Sequence, residues 1–481
     1  MNSIKKNKRS EMFSRNEVNM REGKNPRNPC NPHNPRFRQK GIGIMKRYPD
    51  YKESGVKWIG RIPKNWGMKR LKYVADLNMG QSPPSEEYNS DQIGTPFLQG
   101  NAEFGLHHPT PKIYCPTAKK HASPSDILLS VRAPVGAINI ADQEYGIGRG
   151  LCAIRPRTNQ FERRYAKYLL EVVRTELHVV ATGSTYDAVT VDEVSNLTCV
   201  VPPFSEQVQI ANFLDRKTEQ IDELIRIKER RIELLQEQRT ALINQVVTKG
   251  LDPNVEMKPL GVEWIGEIPV PWETIPIKHT LQTAKDAIRA GPFGSSLKVH
   301  EFQDKGIRVY NQQSVYNEDF SKSDIFISEE KFNELRSFIV QPKDVLITSR
   351  GTIGKMTIVP ENGEIGVLHP CLIRLRLNEN KLIPKYLWWY VNHSSFFIQS
   401  VKIASNSTTI EVIYTETLSS VKIPIPTVKE QLAILEFLNV KIPIIDTIIS
   451  NERRKIERLK EYRQSLISEA VTGKIDVRNE V

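Results

Sequence analysis

The sequence predicts a mixed α/β fold, in which two α/β domains are joined by two long helices that form an antiparallel coiled coil, with an internal pseudo-two-fold repeat. Three observations predict this fold class. Several motifs occur twice in the same order, each copy contains short apolar runs separated by Gly, Pro and Asn turns, and each copy ends in a heptad pattern. A repeat of this kind decides the architecture, because each copy should form a similar structural unit.

The repeat extends over most of the chain. The segment Gly-Val-Lys-Trp-Ile-Gly-Arg-Ile-Pro at 55–63 returns as Gly-Val-Glu-Trp-Ile-Gly-Glu-Ile-Pro at 261–269. The matching groups are, in chain order, 55–63 and 261–269, 126–136 and 344–354, 206–222 and 430–446, and 247–248 and 471–472. The offset between the copies grows from 206 to 224 residues, so the order is kept and only the connecting loops differ in length.

The repeat and the local composition together divide the chain into six segments. They are a basic Asn-Pro-rich tail at 1–45, the first domain at 46–204, a central helical spacer at 205–250, the second domain at 251–428, a C-terminal helical spacer at 429–475, and a short tail at 476–481. Each domain has an ordinary size for one hydrophobic core.

The N-terminal tail is predicted to be disordered. Residues 1–44 hold 11 Lys or Arg, 3 Asp or Glu and four Asn-Pro pairs, with almost no apolar periodicity. Each Pro interrupts helix and sheet pairing. Two interpretations stay open: a basic arm that grips phosphate groups, or an upstream extension, with Met45 beginning the folded protein.

Each domain mixes strand-like and helix-like stretches. The predicted strands are Ile127–Val131, Ala137–Ile140, Val345–Thr348 and Lys355–Val359, and the predicted helices include Arg164–Glu176 and Pro384–Val391. Alternation of this kind indicates an α/β or α+β domain. Four tryptophans, Trp58, Trp66, Trp264 and Trp272, repeat at the start of the domains and are interpreted as core anchors, because aromatic side chains dominate core energetics.

The two spacers carry apolar residues in alternating steps of four and three, which is the spacing of a coiled-coil seam. The predicted seam and spacer contacts are Ile221, Ile225, Ile232, Leu235, Leu242, Ile445, Ile449, Ile456, Leu459 and Leu466. Pro443 is expected in the first turn of the second long helix, where its missing N–H costs little. A shorter helix, opened by a capping box from Thr427 to Glu430, is expected before it.

The chain connectivity predicts that the two helices pair antiparallel. A short linker joins the end of the first helix, near Val247, to the second domain, and the second helix begins where that domain ends. The second helix must therefore run back along the first. About 30 helical residues span roughly 45 Å, somewhat more than one turn of B-DNA at about 34–36 Å, so the pair could act as a ruler between two domains.

Composition excludes several classes of protein. The chain is 39% hydrophobic and 26% charged, and no apolar run reaches the length of a membrane-spanning helix. The five cysteines are scattered without a CxxC pair, so neither a disulfide framework nor a zinc site is expected. No secretory signal is recognised. We therefore expect a cytoplasmic protein without a membrane partner.

The motifs that would indicate catalysis do not occur. Ser349–Met356 is similar to a phosphate-binding loop, but that loop needs Gly where Ser349 stands and Ser or Thr where Met356 stands. Asp126 and Asp344 precede strands without a nearby Glu-x-Lys, which favours a turn or capping role. We expect no catalytic residue, no metal site and no cofactor bound by this chain.

The order of variable domain, helix, variable domain, helix resembles the specificity subunits of type I restriction-modification systems. The resemblance covers residues 46–478. The motifs that carry it are Trp-Ile-Gly-x-Ile-Pro-x-x-Trp, Asp-(Ile/Val)-Leu-x-x-x-Arg, the Pro-rich exit into Glu-Gln-x-x-Ile, and Gly-Pro-Phe-Gly-Ser-Ser-Leu-Lys at 291–298. Each domain would then be a target-recognition domain that reads one half of a bipartite site on double-stranded DNA.

The resemblance also implies partner subunits. The helices would contact two methyltransferase (modification) subunits, and restriction/translocase subunits would complete the complex. S-adenosylmethionine, ATP and Mg²⁺ are then expected on those partners. The chain itself would be a non-catalytic recognition subunit.

Candidate DNA-binding residues follow from the chemistry of base and phosphate recognition. Arg and Lys suit guanine or phosphate, Asn and Gln suit adenine, and hydroxyl groups suit either. The candidates are Gln81, Ser82, Gln99, Asn101, Arg132, Ser184, Thr185 and Tyr186 in the first domain, and Ser295, Ser296, Lys298, Asn311, Gln312, Arg350, Lys355, Asn406 and Thr408 in the second. Arg132 and Arg350 occupy equivalent places, which suits a shared phosphate contact or a shared ion pair.

Two other classes of function stay open at this point. One is a single-chain restriction or methylation enzyme whose catalytic motifs are cryptic. The other is a coiled-coil DNA-binding regulator or structural protein. Intrinsic methyl transfer or cleavage by the pure chain would identify the first, and a neighbouring gene for an adenine methyltransferase would argue against the second.

Overall fold

A computed structural model describes residues 46–181, 188–259, 266–318, 320, 325–405, 411–478 and 480. The predicted disordered tail at 1–45 lies outside the described residues. The chain forms two compact units: unit 1 contains the residues up to Leu224 and those from Arg458 onward, and unit 2 contains Ile225–Glu457. Each unit therefore holds one domain together with part of both long helices.

Unit 1 contains twelve described strands and the start of a long helix. The strands are β1 Tyr51–Glu53, β2 Arg61–Pro63, β3 Gly67–Arg70, β4 Ala75–Met79, β5 Thr95–Leu98, β6 Ile113–Cys115, β7 His121–Ala122, β8 Ile127–Ser130, β9 Ile138–Ile140, β10 Tyr145–Ile147, β11 Leu151–Pro156 and β12 Thr198–Val201. The helices are α1 Arg163–Ala181, α2 Val191–Ser195 and α3 Phe204–Lys249, which continues into unit 2.

Two four-stranded sheets form the centre of the first domain. Their strand orders are β6-β5-β10-β7 and β4-β11-β8-β9, and short pairs join β1 to β2 and β12 to β3. All four residues of β8 are buried, so this strand is covered on both faces. Trp66 is fully buried and Trp58 is half-buried, which confirms the core role of Trp66.

Unit 2 repeats the same plan with a second set of strands. They are β13 Met257–Pro259, β14 Glu267–Pro269, β15 Glu273–Pro276, β16 Ile288–Ala290, β17 Ile307–Tyr310, β18 Phe326–Ile327, β19 Ile339–Val340, β20 Val345–Thr348, β21 Met356–Ile358, β22 Gly366–Leu368, β23 Leu372–Leu375 and β24 Lys422–Ile425. The helices are α4 Gln312–Asn317, α5 Glu329–Glu334, α6 Pro384–His393, α7 Phe396–Ala404, α8 Thr415–Ser420 and α9 Val428–Val471.

The sheets of unit 2 match those of unit 1 strand for strand. The orders β18-β17-β22-β19 and β16-β23-β20-β21 correspond to the two four-stranded sheets of the first domain. In both domains the first of these sheets contains one parallel pair, β5 with β10 and β17 with β22. Trp272 is buried at 1% exposure, while Trp264 lies outside the described residues. The repeat seen in the sequence is thus a repeat of topology.

The aspartates at the strand starts have the turn role that the sequence favours. Asp126 accepts a hydrogen bond from the Ser123 backbone N–H at 2.8 Å and an ion-paired bond from Arg155 at 2.8 Å. Asp344 is placed in the same way: it accepts from the backbone N–H of Gln341 and from Arg376, each at 2.9 Å. Both carboxylates therefore close the turn before the central strand of their sheet.

Antiparallel packing of α3 and α9 is visible within each unit. In unit 2, Lys228 pairs with Glu452 and Arg239 pairs with Asp446, each at 2.9 Å, so the residue number rises along α3 as it falls along α9. In unit 1, Arg463 of α9 contacts Asp222 of α3 at 2.9 Å. The predicted direction of pairing is confirmed.

The predicted seam residues lie between the helices or against the domains. Those that are buried are Ile221, Ile445, Ile449, Ile456 and Leu466, and those that are half-buried are Ile225, Ile232, Leu235, Leu242 and Leu459. These residues therefore stabilise the spacer by packing within it or against the domains. Among the large apolar side chains that α3 leaves exposed, Leu224, Ile227 and Leu234 lie along its length at 47–51% exposure, and Phe204 lies at its start at 38%.

One prediction about the second spacer is wrong. Pro443 does not begin a helix, since α9 is continuous from Val428 to Val471 with Pro443 inside it. A proline removes the N–H that would bond to the carbonyl four residues earlier. Here that carbonyl belongs to Asn439, and both residues are exposed, so water can satisfy the free oxygen. The capping box at Thr427 and Glu430 is confirmed, and it opens the whole helix.

Candidate nucleic-acid interface

The first domain contains a surface cleft of about 600 Å³ formed by four loops. These loops follow β4, β5, β8 and β10, so they meet at one edge of the two sheets. The residues that line it are mostly polar or small. They are Ser82, Pro83, Ser85, Tyr88, Gln99, Gly100, Asn101, Ala102, Glu103, Ser130, Arg132, Ala133, Arg149 and Gly150. Such a surface suits an extended polar ligand that offers both donors and acceptors.

Four residues predicted from separate parts of the sequence meet in this cleft. Ser82, Gln99, Asn101 and Arg132 all line it. The fifth described candidate, Gln81, is exposed on the same loop as Ser82. The structure therefore brings an amide pair, a hydroxyl and a guanidinium to one place, which is the set of groups that reads base edges and phosphates.

Three glycines allow the loops to meet so closely. A Cβ on Gly80 would lie 2.1 Å from the carbonyl oxygen of Gly148, and one on Gly150 would lie 2.5 Å from the carbonyl oxygen of Gln99. Ser82 Oγ then accepts a hydrogen bond from the backbone N–H of Arg149 at 3.1 Å. The glycines at 148 and 150 therefore allow the close packing of these loops, because they carry no Cβ.

Two charged residues of the cleft were missed by the sequence analysis. Arg149 is exposed at the rim, and Glu103 lines the wall with a buried Oε2 that has no hydrogen-bond partner among the described residues. Carboxylates in general accept hydrogen bonds from the cytosine amino group. Neither residue belongs to a repeated motif, so only the three-dimensional arrangement identifies them.

The second domain builds a corresponding set of loops. Gly291 takes the place of Gly80, because its N–H donates to the Leu372 carbonyl as Gly80 donates to Leu151, each at 2.9 Å. A Cβ on Gly291 would lie 2.1 Å from the carbonyl oxygen of His369, the residue that replaces Gly148. The two domains therefore hold these loops together in the same way.

The described candidates of the second domain lie on these loops, with one exception. Ser295, Ser296 and Lys298 are exposed on 291–298. Asn311 uses its side-chain oxygen to cap α4 at Ser314, at 3.2 Å, and the Gln312 amide donates to the Arg350 carbonyl. The exception is Lys355.

Lys355 lies in a different cleft of unit 2. This second cleft has a volume of about 520 Å³ and contains two adjacent tryptophans, Trp388 and Trp389, together with His393. Burial lowers the pKa of His393 to about 4, so this imidazole is neutral at pH 7. Lys355 therefore lines a cleft to which the other described candidates of this domain do not contribute.

Arg132 and Arg350 occupy equivalent, exposed positions. Arg132 forms an isolated β-bridge with Ala188, and Arg350 forms one with Val412. Within the described ranges, neither guanidinium makes an ion pair, so the shared ion pair considered from the sequence is not formed there. The candidates Ser184, Thr185, Tyr186, Asn406 and Thr408 lie outside the described residues.

Neither a metal site nor a membrane-spanning helix is present in the described part of the chain. No group of three or more His, Cys, Asp or Glu residues there could hold a metal ion. No helix there combines the length and the apolar character that crossing a membrane requires.

Comparison with known proteins identifies the family. The sequence model of the type I restriction modification DNA specificity domain matches residues 63–236 and 292–461, which is most of both repeats. A putative type I restriction enzyme MjaX specificity subunit of Methanocaldococcus jannaschii is 36% identical over 193 residues, 40% of this chain and 44% of that protein. The MjaVIII specificity subunit of the same organism is 26% identical over 451 residues, covering 89% of this chain and 98% of that protein.

Solved structures agree in fold. A chain from a structure on complex assembly and conformational transition of the type I R-M system has a TM-score of 0.66 at 18% identity, covering 87% of this chain and 99% of that one. The HsdS subunit from Thermoanaerobacter tengcongensis has a TM-score of 0.53 at 18% identity, covering 89% and 100%. With two matched specificity domains on this fold, the chain belongs to the type I restriction-modification DNA specificity family.

Proposed function

We propose that this chain is the DNA-binding specificity subunit of a type I restriction-modification complex, with each domain reading one half of a bipartite target. One observation carries the proposal: four residues chosen for base and phosphate chemistry, Ser82, Gln99, Asn101 and Arg132, converge in one cleft. The positions that differ between the domains, such as Gln99 against Asn311, would read bases. The position that does not differ, Arg132 and Arg350, would contact phosphate.

The partners follow from the family. Two methyltransferase subunits would dock on the helical spacer, and restriction/translocase subunits would join them in the cytoplasm. S-adenosylmethionine, ATP and Mg²⁺ would be bound by those subunits. On this chain, the exposed apolar residues Leu224, Ile227 and Leu234 of α3 would supply part of the docking face, because apolar residues at helical spacing suit helix-to-helix contacts.

The test is co-expression with the cognate methyltransferase, followed by mapping of the methylated adenines. We expect a bipartite site with a fixed gap. Exchange of residues 46–204 for the first domain of a relative should change one half of the site and leave the other half unchanged. A single uninterrupted site, or a change in both halves, would contradict the proposal, and methyl transfer by the pure chain would indicate an enzyme instead.

The spacer would set the gap between the two halves. Insertion of one heptad into both α3 and α9 keeps the seam in register and should lengthen the preferred gap. An insertion of four residues in one helix only is the control, since it rotates the seam out of register and should abolish site recognition. A preferred gap that stays unchanged in the heptad variant would exclude the ruler.

A further inference from the structure

Three apolar side chains are far more exposed than any other large apolar side chain among the described residues. Leu106 is 92% exposed, Phe293 is 86% and Val299 is 82%, whereas the rest do not exceed 61%. Single exposed apolar residues are common on protein surfaces and need no explanation. These three differ because they all lie on or beside the loops of the candidate nucleic-acid interface.

Phe293 is held outward by a rigid turn. The backbone N–H of Ser296 donates to the Phe293 carbonyl at 2.8 Å. The residues on either side of the turn, Pro292 and Leu297, are buried, and Gly291 packs against the His369 carbonyl. The ring is therefore presented to solvent by a fixed backbone, so little further ordering is needed when a partner covers it.

The repeat identifies the place that this ring occupies. Because Gly291 corresponds to Gly80, Phe293 corresponds to Ser82 of the first domain. Ser82 lines the cleft that contains Gln99, Asn101 and Arg132. Phe293 therefore stands at the corresponding point of the loops of the second domain, where the first domain has a small hydroxyl.

The surroundings of Phe293 favour DNA over an apolar protein surface as its partner. Ser295, Ser296 and Lys298 are exposed on the same loop, and hydroxyl and ammonium groups are typical phosphate contacts. The nearby carboxylate of Glu301 is already engaged by Lys331 at 2.8 Å and by the Lys298 backbone N–H at 2.6 Å. A polar, cationic rim around one apolar ring matches a groove in which phosphates flank a thymine methyl group.

We propose that Phe293 is a base-contacting residue of the second domain, whose ring packs on the 5-methyl group of a thymine in the major groove. The inference rests on the proposed function and adds a chemical preference to it. Aromatic rings contact this methyl group favourably, and it is the only apolar group that the major-groove edges offer. The first domain, with Ser82 at the same point, would have no such contact.

The experiment measures binding of the assembled methyltransferase complex to its mapped site by fluorescence anisotropy. Each thymine of the half-site read by the second domain is replaced in turn by uracil, which removes only the methyl group. We expect one position at which uracil weakens binding about fourfold, the effect of one buried methyl-sized group. In Phe293→Ala, binding to the thymine site should weaken by tenfold or more, and uracil at that position should have no further effect.

The control variant is Val270→Ala, an exposed apolar change at the β14–β15 turn of the same domain. It should keep the uracil effect. The proposal would be overturned if the uracil effect persists in Phe293→Ala, or if uracil has no effect at any thymine. It would also be overturned if Phe293→Ala impairs assembly with the methyltransferase and leaves DNA affinity unchanged. Failure of the proposed function would be seen separately, as a domain exchange that leaves both half-sites unchanged.

Discussion

Glu452 of α9 is buried at 2% exposure, and its carboxylate accepts a hydrogen bond from the ammonium group of Lys228 on α3 at 2.9 Å. The two residues occupy equivalent heptad positions of the two repeats, with opposite charges. Lys455 and Arg231 also contact the carboxylate, at 2.8 and 3.4 Å. The apolar seam therefore contains a charged cluster around a buried carboxylate, and polar positions of this kind can fix the register of a coiled coil.

Removal of the carboxylate should destabilise the helical spacer. In Glu452→Gln, the partly buried ammonium of Lys228 loses its counter-charge. We expect the free energy of unfolding to fall by roughly 2–3 kcal/mol. This loss is smaller than for a fully buried pair, because Lys228 keeps some contact with water. Urea denaturation measures this change in the free energy of unfolding. The matched control is Glu461→Gln, because Glu461 is exposed on the same helix. A loss no larger than that of the control would show that the cluster adds no stability.

Stability should also depend on pH through this carboxylate. Hydrogen bonds from Lys455 and Lys228 lower the pKa of Glu452 to about 2, from an ordinary value of 4.5. The charged form is favoured by folding, so its contribution is complete above about pH 4.5 and is lost as the pH falls toward 2. The difference in unfolding free energy between wild type and Glu452→Gln should therefore be constant from pH 7 to 5 and shrink below pH 4. A constant difference down to pH 3 would be inconsistent with the lowered pKa.

Phosphate contacts and base contacts in the cleft of the first domain should respond differently to salt. Arg132→Ala should weaken binding to every DNA sequence by a similar factor and reduce the slope of log K against log salt by about one, as loss of one phosphate contact does. Gln99→Ala should instead relax the preference in one half-site at a cost of about 1–3 kcal/mol, with the salt slope unchanged. Salt titrations on specific and random duplexes measure both effects.

Lys69→Ala, exposed on β3, is the control for these titrations and should leave binding unchanged. If Arg132→Ala alters the sequence preference and Gln99→Ala alters the salt slope, the two roles have been assigned the wrong way round.

Close packing of the loops gives a test that does not depend on charge. In Gly80→Ala, the new Cβ would meet the Gly148 carbonyl oxygen at 2.1 Å, so one loop must move and the cleft must open. We expect a loss of recognition of one half-site and a destabilisation of about 1–3 kcal/mol, as for overpacking. The matched change is Gly100→Ala in the same cleft, where a Cβ meets no atom within 4 Å. Thermal unfolding and methylation mapping should distinguish the pair, and equal effects would refute the packing argument.

Much of the fold was predictable because it depends on local patterns. The apolar runs Val345–Thr348 and Ile127–Val131 predict strands, and the structure has strands at Val345–Thr348 and Ile127–Ser130. The heptad spacing predicts the seam between the helices. The opposite direction of the two helices followed from connectivity. Pro443 was misplaced because a proline is tolerated inside a helix when the carbonyl it leaves free faces water, and exposure is not visible in the sequence.

The sequence by itself determined the two-fold repeat, the mixed α/β class, the paired helices and the residue types able to read DNA. Tertiary structure alone decided which of those residues share a cleft: Ser82, Gln99, Asn101 and Arg132 come together, Arg149 and Glu103 join them, and Lys355 is placed elsewhere. The physical reason is that periodicity and turn chemistry act between neighbours in the chain. The meeting of loops from four strands depends instead on sheet order and on glycines whose missing side chains leave room for another backbone.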